Sequence, residues 1–142
     1  MSSTRKSKAG DDLRSNARER AVHLLYEAES RNLPVATIVS AQILGVDDLV
    51  ALLTAGVSSR RTELDEIITE HSHTWTIHRM PAIDRNILRL AIYELMDRPD
   101  VPVAVIINEA VELAKRFSTE ESGRYVNGVL SAIAKKVRAK GV

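Results

Sequence analysis

Three histidines close together in the middle of the chain are its best candidates for metal ligands. They are His71, His73 and His78. A zinc site needs three or four converging ligands, commonly completed by cysteines or carboxylates. His71 and His73 would point in nearly opposite directions on a helix, and the chain contains no cysteine. We therefore expect exposed loop histidines, with no bound metal and no other cofactor.

The sequence also lacks the patterns that would support covalent catalysis. Its six glycines are scattered, so no phosphate-binding loop is formed, and neither a nucleophile elbow nor an HExxH segment occurs. Glu109 and Glu112 would share the outer face of a helix. Glu112 and Arg116 are four residues apart, a spacing typical of a surface ion pair. The sequence therefore favours a protein that is not an enzyme.

A short stretch near the C-terminus combines the side chains that bind single-stranded RNA. Aromatic rings stack on bases, guanidinium groups contact phosphates, and amides bond to base edges. The residues concerned are Lys115, Arg116, Phe117, Arg124, Tyr125 and Asn127. We expect Ser122 or Gly123 to cap the last helix, whose free amides would suit a phosphate. The alternative is that Phe117 belongs to the core, Tyr125 packs beneath it and Asn127 is a buried structural amide.

Basic residues are concentrated at the two ends of the chain. Residues 1–20 contain six basic and three acidic residues, and residues 131–142 contain four basic residues and no acid, although the net charge is only +1. Arg14 and Arg18 are one helical turn apart and would project from the same face. This distribution indicates a polyanion bound at the ends and a basic protein bound to the acidic body. A solvated tail is the alternative interpretation.

The composition is that of an ordinary folded domain. The 142 residues are 44% hydrophobic and 27% charged but only 4% aromatic, so Ala, Leu, Ile and Val must build the core. No apolar run is long enough to span a membrane, and no signal peptide is recognisable. We expect a cytoplasmic protein.

Apolar residues recur at helical spacing, and the fold class predicted is therefore all-α with about seven helices. We expect helices over residues 13–31 and 35–44, after Asp47, over residues 63–71 and 81–96, after Pro102, and beyond a polar loop at residues 118–123. A disordered basic tail at residues 1–12 would precede a single domain over residues 13–142. That domain would consist of bundles at about residues 13–75 and 81–138.

Several motifs in this chain resemble the NusB family of antitermination factors. They are Leu88-Arg-Leu-Ala-Ile-Tyr-Glu-Leu95, Asp100-Val-Pro, Ile107-Asn-Glu-Ala and Val126-Asn-Gly-Val-Leu130, after an arginine-rich first helix. The resemblance implies two roughly perpendicular three-helix bundles. It also implies that the protein binds single-stranded boxA RNA of ribosomal RNA transcripts with the ribosomal protein NusE, in an RNA polymerase antitermination complex, without a membrane. A homodimer is a further expectation.

The resemblance also implies which residues bind. RNA contacts would fall on Arg14, Arg18, Arg89, Phe117, Tyr125 and Asn127. Asp84 and Glu121 would face NusE, although aspartate is commoner in the family at the position of Glu121. Ser15 and Asn16 interrupt the arginine run expected in the first helix. The alternatives are an RNA-binding region of a ribosomal RNA cytosine methyltransferase and a dimeric scaffold that binds only protein.

Overall fold

The computed structural model of the protein describes residues 2–73 and 75–138, and these form seven α-helices and no strand. This confirms the all-α prediction. The helices are α1 (Ser2–Arg31), α2 (Val35–Ser40), α3 (Asp48–Ser59), α4 (Arg61–His71), α5 (Ala82–Asp97), α6 (Val103–Phe117) and α7 (Glu120–Arg138). Among the helices described, none is long and apolar enough to cross a membrane.

The first helix ends where the sequence predicts but begins earlier. Its C-terminus is closed by Asn32, whose φ of 53° is left-handed, and by a bond from the Leu33 amide to the Ala28 carbonyl at 2.9 Å. That arrangement is a Schellman motif. At the other end α1 begins at Ser2, whereas the sequence predicts a disordered tail over residues 1–12. Residue 1 lies outside the described residues. Residues 2–12 contain no proline, so nothing in them forbids helix.

Two further boundaries differ from the sequence-based prediction. Helix α2 ends at Ser40, and the chain then turns through Gly45, whose φ of 73° suits glycine. Helices α3 and α4 separate at Arg60, whereas the sequence left open a bend at Gly56. Gly56 lies inside α3 against Tyr93 of α5, where a Cβ would come within 2.2 Å of the Tyr93 ring. Close helix packing explains this glycine.

Helix α5 is the centre of the molecule. It packs against α1, α3, α4, α6 and α7, while α6 and α7 also pack on each other and α1 packs on α2 and α3. Buried apolar side chains from all seven helices form a continuous core. Because α5 is covered on every side, its polar residues Asp84, Asn86, Arg89 and Glu94 are buried as well. Each of them needs a partner inside the protein.

Candidate nucleic-acid interface

Tyr125 lies on α7 with its ring against Trp75, from the loop that joins α4 to α5. The ring centroids are 4.9 Å apart at an interplanar angle of 52°. The Tyr125 hydroxyl is hydrogen-bonded to the Ser72 hydroxyl. Both aromatic side chains are partly exposed, so each ring retains surface on which a base could stack. We call these two residues the Trp75–Tyr125 pair.

Phe117 is at the surface, contrary to the alternative that it belongs to the core. It is 37% exposed as the last residue of α6. The His23 ring of α1 meets it edge-on, with centroids 4.6 Å apart and planes at 85°. The Arg116 guanidinium carbon lies 4.9 Å from the Phe117 ring centroid, which is cation–π distance.

Asn127 and Glu121 are also exposed, on α7. The Asn127 side-chain oxygen accepts a long bond from the Ser131 hydroxyl, at 3.5 Å. The alternative of a buried structural amide therefore does not hold for Asn127. The Asn127 amide and the Glu121 carboxylate are both accessible to solvent.

The turn before α7 is capped by Thr119, and not by Ser122 or Gly123 as the sequence suggested. The Ser122 backbone amide donates to Thr119 Oγ1 at 2.9 Å, which is the bond an N-cap residue accepts. Helix α7 consequently begins at Glu120, and the loop predicted at residues 118–123 is shorter. Glu120 and Glu121 occupy the first turn, where negative charge complements the helix dipole. A phosphate at this end would compete with those carboxylates.

Arg18 is buried, in contrast to the surface contact that the resemblance implies. It is 3% exposed, and it holds Glu94 of α5 in a bidentate pair, with Nε–Oε1 at 2.7 Å and Nη2–Oε2 at 3.0 Å. Glu94 is itself 1% exposed. The pair connects α1 to the central helix. Its geometry indicates a structural role for Arg18.

Arg14, one turn before Arg18, is exposed. With Arg98 and Asp100 it lines a groove of ≈ 370 Å³ between α1 and the connection from α5 to α6. A guanidinium that lines an open groove is accessible to an anion.

Arg89 is likewise buried, at 3% exposure, and is surrounded by acidic partners. Its Nε lies 2.6 Å from Asp65 Oδ1, and its Nη1 lies 2.8 Å from Glu29 Oε1. Burial alone would lower the pKa of Arg89, but the bonds and charges of Asp65 and Glu29 outweigh it and raise that pKa. The RNA contact implied for Arg89 is not available in this arrangement.

Glu29 is the centre of the same cluster. It accepts from Arg85 Nη2 at 2.6 Å as well as from Arg89. Burial raises the pKa of Glu29, yet the hydrogen bonds and charges of Arg85 and Arg89 together hold that pKa at about 2. The cluster therefore joins α1, α4 and α5 through charged side chains.

Asp84 is fully buried at the start of α5, where the resemblance places a contact with NusE. Its Oδ2 accepts a bond from the Ser122 hydroxyl at 2.7 Å. Its Oδ1 has no hydrogen-bond partner within the described part of the chain. A basic protein could not reach this carboxylate without displacing α7. Asp84 instead fixes the start of α7 to α5.

The histidines are placed differently from one another. His71 is half-buried at the end of α4, with Nδ1 2.9 Å from the Ile67 carbonyl, which corrects the expectation of an exposed loop residue. His73 and His78 are exposed in the following loop. Within residues 2–73 and 75–138, no three histidine, cysteine or carboxylate side chains converge as metal ligands.

Sequence reasoning missed two aromatic residues of this surface. Trp75 lies in an irregular segment without periodicity, and His23 lies on the first helix, where the sequence shows no partner for it. A tryptophan outside any helical pattern is a usable signal, because such a residue needs a tertiary partner. Nothing in the spacing could indicate that His23 meets Phe117, which is far away in the chain.

A model of the NusB family matches residues 15–135. The chain belongs to the NusB family. The transcription antitermination protein NusB of Saccharopolyspora erythraea is 47% identical to it over 127 residues, which are 85% of this chain and 86% of that protein. The family resemblance expected from the motifs of α5, α6 and α7 is confirmed.

Solved structures that are similar to this chain share its fold. NusB of T. maritima superposes with a TM-score of 0.81 at 32% identity, over 90% of this chain and 94% of that one. A chain in the crystal structure of the antitermination factors NusB and NusE with double-stranded RNA gives a TM-score of 0.74 at 29% identity, over 87% and 96%. A chain in the crystal structure of a plectonemic RNA supercoil gives 0.75 at 30% identity, over 87% and 94%. The NusB-like fold is thus confirmed.

Proposed function

We propose that this chain is an RNA-binding transcription antitermination factor that binds boxA RNA of ribosomal RNA transcripts together with NusE. The observation that carries the proposal is its similarity, over most of its length, to a NusB chain crystallised with NusE and RNA. The RNA of that complex is double-stranded, whereas we propose that this chain binds single-stranded RNA. Exposed aromatic rings favour a single strand, because bases must be unpaired to stack on a protein ring.

Different exposed residues would contact different parts of the RNA. The Trp75–Tyr125 pair and Phe117 would supply stacking surfaces, and the Asn127 amide would bond to a base edge. Arg14 would contact phosphate oxygens from the groove beside α1. Arg18 and Arg89 would act indirectly, because their guanidinium groups hold α1, α4 and α5 together.

The protein partner would meet an acidic surface. Exposed carboxylates lie on α4, at Glu66 and Glu70, and at the start of α7, at Glu120 and Glu121. Such a surface attracts a basic ribosomal protein and raises its rate of association. Glu121 remains our proposed contact for NusE, while Asp84 would support it from beneath through Ser122.

The role we propose is binding without catalysis, in the cytoplasm where transcripts are made. The RNA, NusE and RNA polymerase would form one antitermination complex, and the free protein would form a homodimer. A scaffold that binds only protein is the competing function. It predicts no RNA affinity, so that removal of the exposed aromatic and basic side chains would be silent.

Fluorescence anisotropy with a labelled boxA-like RNA tests the proposal. A scrambled RNA and a double-stranded version serve as competitors, with and without NusE, at two salt concentrations. We expect selective binding that NusE strengthens, with a log–log salt slope of roughly −0.7 for each phosphate contacted. Equal affinity for boxA and scrambled RNA in the presence of NusE would contradict the proposal.

Two variants with a matched control sharpen the test. Tyr125→Ala should weaken RNA binding by about 1–3 kcal/mol, because a stacked base loses its ring. Arg14→Ala should reduce the salt slope by about 0.7, since one phosphate contact is lost. Arg31→Ala removes an exposed arginine at the other end of α1, where it pairs only with Glu27 among the ion pairs observed, and should leave the RNA affinity unchanged. Equally weak, unselective RNA binding by the wild type and by all three variants would favour the protein-only scaffold.

A further inference from the structure

The turn between α2 and α3 presents two large apolar side chains to solvent. Ile43 and Leu44 are each 98% exposed, more than any other large apolar side chain in the described part of the chain. The next is Leu13, at 67%. Single exposed apolar residues are common on protein surfaces, but two adjacent ones that stay almost wholly exposed are not explained by the packing of the fold. We call this feature the Ile43–Leu44 turn.

Hydrogen bonds brace the Ile43–Leu44 turn from both sides. The Gly45 amide donates to the Gln42 carbonyl at 3.0 Å, which closes a β-turn with the two apolar residues at its central positions. The Gln42 side-chain amide donates to the Ile38 carbonyl at 2.9 Å, and Arg20 of α1 donates to the Gln42 side-chain oxygen at 3.1 Å. Because the backbone is already held in place, binding through this turn would cost little conformational entropy.

Acidic side chains follow the apolar ones closely along the chain. Asp47 and Asp48 lie at the start of α3, and both are exposed. The Asp47 side chain makes no capping hydrogen bond to α3, so its carboxylate is open to a partner. Two carboxylates beside two exposed apolar side chains are complementary to a groove with an apolar floor and a basic rim.

The small size of the Ile43–Leu44 turn argues against a second copy of this chain as the partner. Two copies that met turn to turn would bury only four large side chains, well short of the roughly 1,200 Å² that a stable interface needs. They would also bring the carboxylates of Asp47 and Asp48 together, and like charges repel. A projection of two residues instead suits a groove in a larger protein, where a few buried anchors supply most of the affinity.

The Ile43–Leu44 turn lies on elements that the contacts proposed above do not use. The proposed RNA contacts lie on α6, α7, the loop before α5 and the groove between α1 and the α5–α6 connection. Those proposed for NusE lie on α4 and α7. Helix α2, by contrast, packs on α1 and α3. Of the components proposed for the antitermination complex, RNA polymerase alone has no contact assigned on this chain.

We infer that the Ile43–Leu44 turn docks into an apolar groove with a basic rim on RNA polymerase. The inference rests on the proposed antitermination function and adds to it the contact that would join this chain to the transcribing enzyme. The two apolar side chains would fill the groove, and Asp47 and Asp48 would pair with basic side chains at its rim. A chain bound to the transcript would form this second contact within one complex, so its overall affinity would rise.

A double substitution, Ile43→Ser with Leu44→Ser, tests the docking. The affinity of the labelled protein for a boxA-bearing transcript with NusE is measured by anisotropy, first with the transcript free and then with it emerging from an RNA polymerase elongation complex. The wild type should bind the elongation complex about 100-fold more tightly than the free transcript. The double variant should lose most of this gain, because a hydroxyl does not replace an apolar contact. Its affinity for the free transcript should equal that of the wild type.

A matched control and a direct measurement of burial accompany this variant. Leu33→Ser changes another exposed leucine, at the other end of α2, and should keep the whole gain. Circular dichroism should show unchanged folding of the double variant, because both side chains are almost wholly exposed. The chain contains no cysteine, so Leu44→Cys can be labelled at one position with an environment-sensitive fluorophore. Its emission should shift to the blue when the labelled protein joins the elongation complex and stay unchanged with the free transcript.

The two transcript measurements separate this inference from the proposed function. A double variant that keeps the whole gain, or a wild type that gains nothing from RNA polymerase, would overturn the docking and leave binding of boxA RNA and NusE standing. A double variant with weaker binding to the free transcript would make the turn part of the RNA or NusE surface, which also overturns it. So would a wild-type dimer in sedimentation velocity that the double variant does not form. Absence of wild-type binding to the free transcript with NusE would overturn the proposed function and the inference together.

Discussion

Replacing Glu29 with glutamine should remove a large, pH-dependent part of the stability of this protein. The Glu29 carboxylate binds Arg85 at 2.6 Å and Arg89 at 2.8 Å, with Arg61 at 3.6 Å. Its side chain is only 18% exposed, so these interactions are weakly screened by solvent. Neutralising it leaves Arg89 with Asp65 as its remaining acidic partner and Arg85 with none among the ion pairs observed.

The magnitude follows from the pKa of Glu29, which is lowered from 4.5 to about 2. At 1.36 kcal/mol for each pH unit, this difference corresponds to about 3 kcal/mol of folding free energy near neutral pH. Because the folded pKa lies below the unfolded one, the contribution is complete above about pH 5 and is lost as the pH falls towards 2. At about pH 3, about 2 kcal/mol of it is already gone.

Urea denaturation followed by circular dichroism measures this contribution directly. We expect Glu29→Gln to be less stable than the wild type by about 3 kcal/mol at about pH 7, and this gap to narrow by about 2 kcal/mol at about pH 3. Glu27→Gln is the matched control, because Glu27 makes an exposed ion pair with Arg31 and should change stability by less than about 0.5 kcal/mol. A gap between wild type and Glu29→Gln that stays constant with pH would refute the reasoning.

Three further substitutions test the packing that positions the surface. Arg18→Ala should lower the free energy of unfolding, measured by urea denaturation, by about 3–5 kcal/mol, because it leaves the buried Glu94 carboxylate without its bidentate partner. A decrease below about 1 kcal/mol would show that the pair is not structural. Gly56→Ala should lower the free energy of unfolding by about 1–3 kcal/mol or more, since the added Cβ would lie 2.2 Å from the Tyr93 ring. A melting temperature equal to that of the wild type would contradict this. Thr119→Ala should cost about 1 kcal/mol by loss of the α7 cap, and native-state hydrogen exchange should be faster in the first turn of α7; unchanged protection there would count against the assigned cap.

Local boundaries show where sequence reasoning works and where it fails. The end of α1 follows from Asn32 and Pro34, because a left-handed residue and a missing amide stop a helix locally. The start of α7 was misplaced, because Thr119, Ser122 and Gly123 are all acceptable near a helix start. Only the bond from the Ser122 amide to Thr119 distinguishes them.

Burial divides the site residues predicted from the sequence into two groups. The sequence places Phe117, Tyr125 and Asn127 close together along the chain, and the structure leaves all three wholly or partly exposed. It does not reveal that Arg18 and Arg89 are buried, because an arginine on a helix is ordinarily exposed. Their acidic partners come from other helices: Glu94 for Arg18, and Glu29 with Asp65 for Arg89.

Helical periodicity, the absence of cysteine and the motifs of α5 to α7 determined by themselves the all-α class and the NusB family. Those signals are local, since the spacing of apolar residues that predicts a helix lies within one short segment of the sequence. The tertiary structure alone decided which charged side chains reach solvent, because that depends on helices packing from distant parts of the chain. It buried Asp84 beneath Ser122 and brought His23 to Phe117. The surface proposed to bind RNA is thus a product of packing around α5.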